Sequence, residues 1–113
     1  MADIPTDAPR RITVTLLHFD GCPHVEMASA NLQAAAEQTP AADIVVRRTA
    51  VNTVEDAERL GFLGSPTILI DGVDPFAEPG AAPGLSCRVY QTEGGLAGSP
   101  TIAQLSAALA GAR

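Results

Sequence analysis

The feature that most constrains the fold is a change of hydrophobic period near the start of the chain. Arg11 to Phe19 (R-I-T-V-T-L-L-H-F) is apolar and β-branched and runs into Asp20-Gly21, which predicts a largely buried strand ending in a turn. From Pro23 the apolar positions are Val25, Ala28, Leu32 and Ala35 or Ala36, the spacing of one helix face, until Thr39-Pro40 interrupts it. A proline in a helix's first turn lacks an N–H that would go unused there anyway, so the helix is expected to open at Pro23.

The same punctuation continues down the chain. Asp43 to Thr49 (D-I-V-V-R-R-T) predicts a second strand, and Thr53 followed by Asp56 three residues on predicts a capped short helix through Leu60 that Gly61 ends. Ser65-Pro66-Thr67-Ile68-Leu69-Ile70 reads as a strand with a proline at its entry, stopped by Asp71-Gly72. Val73 to Gly84 is rich in Pro, Gly and Ala; Ser86 to Tyr90 is expected as a fourth strand, and about Thr101 to Leu109 as a final helix with Ile102, Leu105 and Leu109 on one face. The order β-α-β-α-β-β-α predicts an α/β domain over residues 11–113. Its first two strands would be parallel and its last two paired as a hairpin, in a central mixed four-stranded sheet flanked by helices. Residues 1–10, polar and carrying Pro5 and Pro9, are expected as a disordered lead-in rather than a secretory signal.

With 113 residues the chain has room for one core. Thirteen acidic residues against 7 basic ones give a formal charge of -6, and the basic residues are all arginine, with the pairs Arg10-Arg11 and Arg47-Arg48 far apart in sequence. Phosphate contacts need a basic face, so a nucleic-acid partner is not expected. No apolar run approaches the roughly 20 residues of a membrane helix, so no membrane association is expected either. Two cysteines in a chain of this kind point to a cytoplasmic setting, where thiols are reactive, metal-binding or buried rather than permanently bridged.

Chemistry concentrates at Cys22-Pro23-His24. A thiol at the mouth of a helix meets unpaired backbone N–H groups and the positive end of the helix dipole, which favour the thiolate, the nucleophilic form. His24, when protonated, would add a second positive group beside the sulfur; the other reading of His24 is a first-turn residue facing water. Cys87 is either a passive strand residue or a second functional thiol carried to the active end by the 73–84 loop. In a simple hairpin of the third and fourth strands Cys87 lies at the far end of the sheet, so a bridge to Cys22 would need that loop to rearrange. The two cysteines and two histidines lack the close paired spacing of a structural zinc site.

The F-D-G-C-P-H-V run after a first strand, with S-P-T at the entry of a third, resembles the thioredoxin superfamily. Cys22-Pro23-His24 is similar to the first three residues of the C-P-H-C motif of DsbA-type oxidases. The runs F-D-G-C-P, G-S-P-T-I-L-I-D-G and S-C-R-x-Y also resemble those of small actinobacterial thioredoxin-like proteins. The resemblance covers the chain from about Arg11 onward and implies a thioredoxin-like fold. It also implies that Cys22 is the redox-active nucleophile, and that a cis Pro66 faces it and, with Ser65 and Pro23, shapes the seat of the incoming substrate. One departure matters: the family's resolving cysteine would fall at position 25, which is Val25 here. Resolution must then come from Cys87, a small-molecule thiol or a substrate thiol.

Two functions follow as expectations. The first is a thiol-disulfide oxidoreductase without a cofactor, acting on a small-molecule thiol or a protein disulfide with catalytic residues Cys22, His24 and Cys87. The alternative is a non-catalytic module in which the thiolates capture a soft metal or an organometallic.

Overall fold

A computed structural model describes residues 10–40 and 42–112. It contains β1 (Arg10–His18), α1 (Val25–Glu37), β2 (Ala42–Ala50), α2 (Val54–Leu60), β3 (Thr67–Ile70), β4 (Tyr90–Thr92), β5 (Gly95–Ala97) and α3 (Ile102–Ala110). The disordered lead-in expected over 1–10 lies outside the described residues, except that Arg10 already belongs to β1.

β1 is the middle strand of a three-stranded sheet in the order β2-β1-β3, parallel to β2 and antiparallel to β3. Successive strand residues point to opposite faces, and β1 uses both. Ile12, Val14 and Leu16 pack with Leu32 and Ala35 of α1 and with Leu105 and Leu109 of α3, whereas Leu17 joins Val51, Ala57 of α2 and Phe62. α1 and α3 therefore cover one face and α2 the other. Phe19 touches both clusters and meets Phe62 edge-on, with ring centroids 6.5 Å apart.

The Thr53 cap and the Gly61 stop read from sequence form as expected: Thr53 accepts from Asp56 N–H at 3.1 Å, and Gly61 closes α2 in the left-handed region at φ 70. The structure adds a reciprocal capping box on α3, made by Thr101 and Gln104.

Two expectations need correction. The four-stranded sheet is a three-stranded mixed sheet plus a separate β4-β5 hairpin, so the fold is mixed α/β in a coarser sense than the sequence implied. Asp71 (φ 50) and Gly72 turn the chain back after β3, but that pairing ends at the Ile70-Val73 bridge. Pro75, Pro79 and Pro83 follow, and proline has no N–H to continue a ladder. The chain returns at Ser86 to run parallel to Ser65, and only then does β4 pair with β5, an element the sequence reading did not contain. The second correction concerns α1, which starts at Val25 rather than Pro23. The 19–22 turn closes first, through Cys22 N–H to Phe19 O at 3.3 Å, and the first helical bond runs from Ala28 N–H to His24 O at 3.1 Å. Pro23 thus lies in the turn ahead of the helix, with His24 as its N-cap.

Candidate functional site

Cys22 is a free thiol at the margin of the core, 7% exposed, packed in the cluster that includes Val25 and Ala28. Its turn is fixed from three directions. Cys22 N–H bonds Phe19 O, Phe19 N–H bonds Ser65 Oγ at 3.3 Å, and Asp20 N–H bonds Asn52 Oδ1 at 3.0 Å while Asn52 Nδ2 returns a bond to the Asp20 carboxylate at 3.2 Å. The serine on which this turn leans precedes Pro66, and the Ser65-Pro66 peptide bond is cis. Both residues are fully buried.

Cys87, also free, is exposed. The hairpin reading put it at the far end of the sheet; the structure puts it at the near end. Ser65 donates its N–H to Ser86 O at 2.8 Å, and its carbonyl accepts from Arg88 N–H at 3.0 Å, so Cys87 lies directly across from Ser65. β1 and β3 are antiparallel with Leu17 opposite Thr67, which sets Ser65 beside the Phe19-Cys22 turn. Both cysteines thus belong to the same end of one sheet, on either side of Ser65.

The segment carrying Cys87 is anchored by its neighbours. Arg88 forks onto the Asp74 carboxylate at 2.7 and 3.3 Å and donates to Phe76 O at 2.8 Å, and its guanidinium stacks 4.6 Å from the Tyr90 ring centre. Arg88 and Asp74 side chains are 9% and 8% exposed, so this is a desolvated bidentate pair. Tyr90 is buried edge-on to Phe76, with centroids 5.6 Å apart, and its hydroxyl donates to Pro66 O at 2.5 Å. Burial, first, and then the nearby Asp74 carboxylate push the phenol's ionisation well above its ordinary range, against the opposing pull of Arg88. The S-C-R-x-Y run therefore alternates: Arg88 and Tyr90 face inward as anchors, while Cys87 and Val89 face out.

Comparison with known family models, curated proteins and solved structures finds no match.

Of the residues expected from sequence, Ser65 bonds both the turn that carries Cys22 and the segment that carries Cys87, Pro66 follows Ser65, and Pro23 follows Cys22 in its turn. His24 caps α1 through its backbone while its side chain makes no capping bond. Instead, the ring packs on Gly98: a Cβ placed there would fall under 3.0 Å from His24 Cγ, Nδ1 and Cδ2. Sequence reasoning missed Asn52, Asp74, Tyr90 and Gly98. The alternation of Arg88 and Tyr90 was a usable signal, since a charged and an aromatic residue two apart share a face of an extended segment. Gly98, beside Ser99-Pro100, reads only as a turn. Among the described residues no three of His, Cys, Asp and Glu converge on a metal-sized site, and no helix is long and apolar enough to cross a membrane.

Proposed function

We propose that this chain is a thioredoxin-like thiol-disulfide oxidoreductase of the reducing cytoplasm, with Cys22 as its nucleophile. The observation that carries the reading is the arrangement about Ser65. Its Oγ holds the Cys22 turn and its backbone holds the Cys87 segment, so one buried residue organises both sulfurs of the chain. The order β2-β1-β3, with α1 and α3 on one face and α2 on the other, supports the fold assignment.

In the first step the Cys22 thiolate attacks one sulfur of a substrate disulfide, R–S–S–R′. The S–S bond breaks, R′S⁻ leaves and takes a proton, and Cys22–S–S–R remains. In the second, either the Cys87 thiolate attacks the Cys22 sulfur and expels RS⁻, or a small-molecule thiolate R″S⁻ attacks the substrate sulfur, forming R–S–S–R″ and freeing the Cys22 thiolate. If Cys87 attacks, the product is a Cys22–Cys87 disulfide, which two equivalents of external thiol reduce. Val25, at the position of the absent resolving thiol, takes no part. No cofactor enters this chemistry. The 7% exposure of Cys22 favours a small disulfide, or one presented on an extended peptide, over a sulfur buried in a folded partner.

The test is exchange with a small aliphatic disulfide, followed by peptide mass spectrometry. The expected first adduct is on Cys22, with Cys22→Ser abolishing turnover by a thiol reductant. Accumulation of the Cys22 adduct in Cys87→Ser identifies Cys87 as the resolving thiol; undiminished turnover in that variant identifies the small thiol. Wild-type rates in Cys22→Ser would overturn the reading.

A further inference from the structure

The β4-β5 hairpin is separate from the main sheet, yet it touches the Cys22 site twice. At one point the Tyr90 hydroxyl bonds Pro66 O. At the other, Gly98, immediately after β5, receives the His24 ring. Tyr90 pairs with Ala97, next to Gly98, so the two contacts are joined across one rung of the hairpin. The path closes on itself. Cys22 leads through Pro23 to His24, the ring to Gly98, Ala97 to Tyr90, Tyr90 to Pro66, Ser65 Oγ to Phe19 N–H and Phe19 O back to Cys22 N–H.

Gly98 does not need to be glycine for its backbone, because its φ lies outside the left-handed region. The three atoms nearest to a Cβ placed there all belong to one ring, that of His24. The hairpin and the residues after Gly98 are tied to the helices: Asn31 Nδ2 of α1 donates to Pro100 O at 2.9 Å, Gln104 Nε2 of α3 donates to Gln91 O at 2.7 Å, and Ser99 is buried. The ring's place is not explained by capping, since the His24 side chain makes no capping bond.

We propose that the β4-β5 hairpin is a positioning element of the Cys22 site, in which Gly98 fixes the His24 imidazole two residues from the sulfur while Tyr90 fixes Pro66. Gly98 is a positioning residue that acts through His24. The inference deepens the redox reading, but its test does not require turnover.

The experiment is a double-mutant cycle on the rate of Cys22 alkylation by iodoacetamide, followed by peptide mass spectrometry so that Cys87 does not contribute. Gly98→Ala should slow Cys22 alkylation by about threefold or more, the scale of coupling between residues in contact. In a His24→Ala background the same Gly98→Ala change should have no effect, because the ring it displaces is gone. The imidazole proton resonances of His24, assigned by their loss in His24→Ala, should move in Gly98→Ala. An equal fall in both backgrounds, an unchanged or faster rate, or unmoved resonances would overturn the proposal. Should Gly98→Ala fail to fold, the double variant must fold as His24→Ala does; its failure would likewise overturn the proposal. A wild type that alkylates as described but exchanges no disulfide would sink the oxidoreductase reading and leave the positioning role standing.

Discussion

The Tyr90 hydroxyl donates to the carbonyl oxygen of Pro66 at 2.5 Å, tying the β4-β5 hairpin to the buried entry of β3. A buried acceptor that loses its donor costs the desolvation of that acceptor, about 1–3 kcal/mol. Tyr90→Phe keeps the edge-on contact with Phe76 and removes only the hydroxyl. The expected outcome is a loss of that size in urea unfolding, with an unchanged m-value. A neutral substitution would mean that the bond contributes nothing net.

The same phenol predicts a pH dependence. Burial raises the folded-state ionisation of Tyr90 above the ordinary value of 10.0, so the fold favours the neutral form. A raised folded value contributes stability that is complete below the unfolded value and is lost as pH rises through the folded one. Stability should therefore fall above about pH 10, where the unfolded chain ionises first. The chain has one tyrosine and no tryptophan, so tyrosinate absorbance reports Tyr90 alone. Native protein should show little tyrosinate until it unfolds, and Tyr90→Phe should lack this component of the alkaline stability loss. A reversible native titration near pH 10 would contradict it.

The Arg88-Asp74 pair predicts non-additivity. Removing one partner of a buried pair strands the other charge, at a cost of about 3–5 kcal/mol. Asp74→Asn keeps an oxygen for Phe76 N–H, which donates to Asp74 Oδ1 at 2.9 Å, but removes the charge and sets an amide N–H against Arg88 where Oδ2 accepted at 2.7 Å. It should destabilise the protein by about 3 kcal/mol. Adding Arg88→Met removes the stranded guanidinium, so the double variant should recover part of the loss in the same unfolding experiment. Strictly additive losses would show that the pair is better solvated than its burial implies.

Much of this architecture was legible because it is local. The strand-to-helix change of period at Asp20-Gly21, the Thr53 cap and the Gly61 stop are each decided within a few residues, and each formed. The return of 86–88 to Ser65 was not legible. It depends on Arg88 reaching Asp74, fourteen residues back, and on the prolines between them denying β3 a hairpin partner. That error put Cys87 at the wrong end of the sheet. β4 and β5, three residues each, are too short to show a period, so the contacts made by Tyr90 and Gly98 left no pattern to read. The helix start was misplaced by two residues because the turn bond of Cys22 takes precedence over the helical preference of Pro23.

Exposure separates the two thiols experimentally. Cys87 is exposed between Leu85 (40%) and Val89 (60%), whereas Cys22 is 7% exposed. A maleimide bearing a long polymer should label one thiol per native chain, at Cys87, and two in denaturant. Labelling of both at equal rates in the native protein would show that the Cys22 turn opens readily.

The seating of the Cys87 segment can be tested by comparing two glycines. Gly61 and Gly64 both have positive φ, 70 and 121, but a Cβ at Gly61 meets nothing within 4 Å. At Gly64 it would lie 3.0 Å from Arg88 Cβ and 3.1 Å from Ser86 O. Gly61→Ala should cost only the left-handed backbone penalty, about 1–2 kcal/mol. Gly64→Ala adds overpacking against a segment anchored by Arg88, so about 3 kcal/mol or more is expected. The difference should also be local. The amides of Ser65 and Arg88, which bond across the bridge, should lose hydrogen-exchange protection in Gly64→Ala and keep it in Gly61→Ala. If the two variants match in stability and exchange, the 86–88 segment is not held against Gly64 in solution. In that case the juxtaposition of Cys87 with Ser65 cannot organise the second thiol.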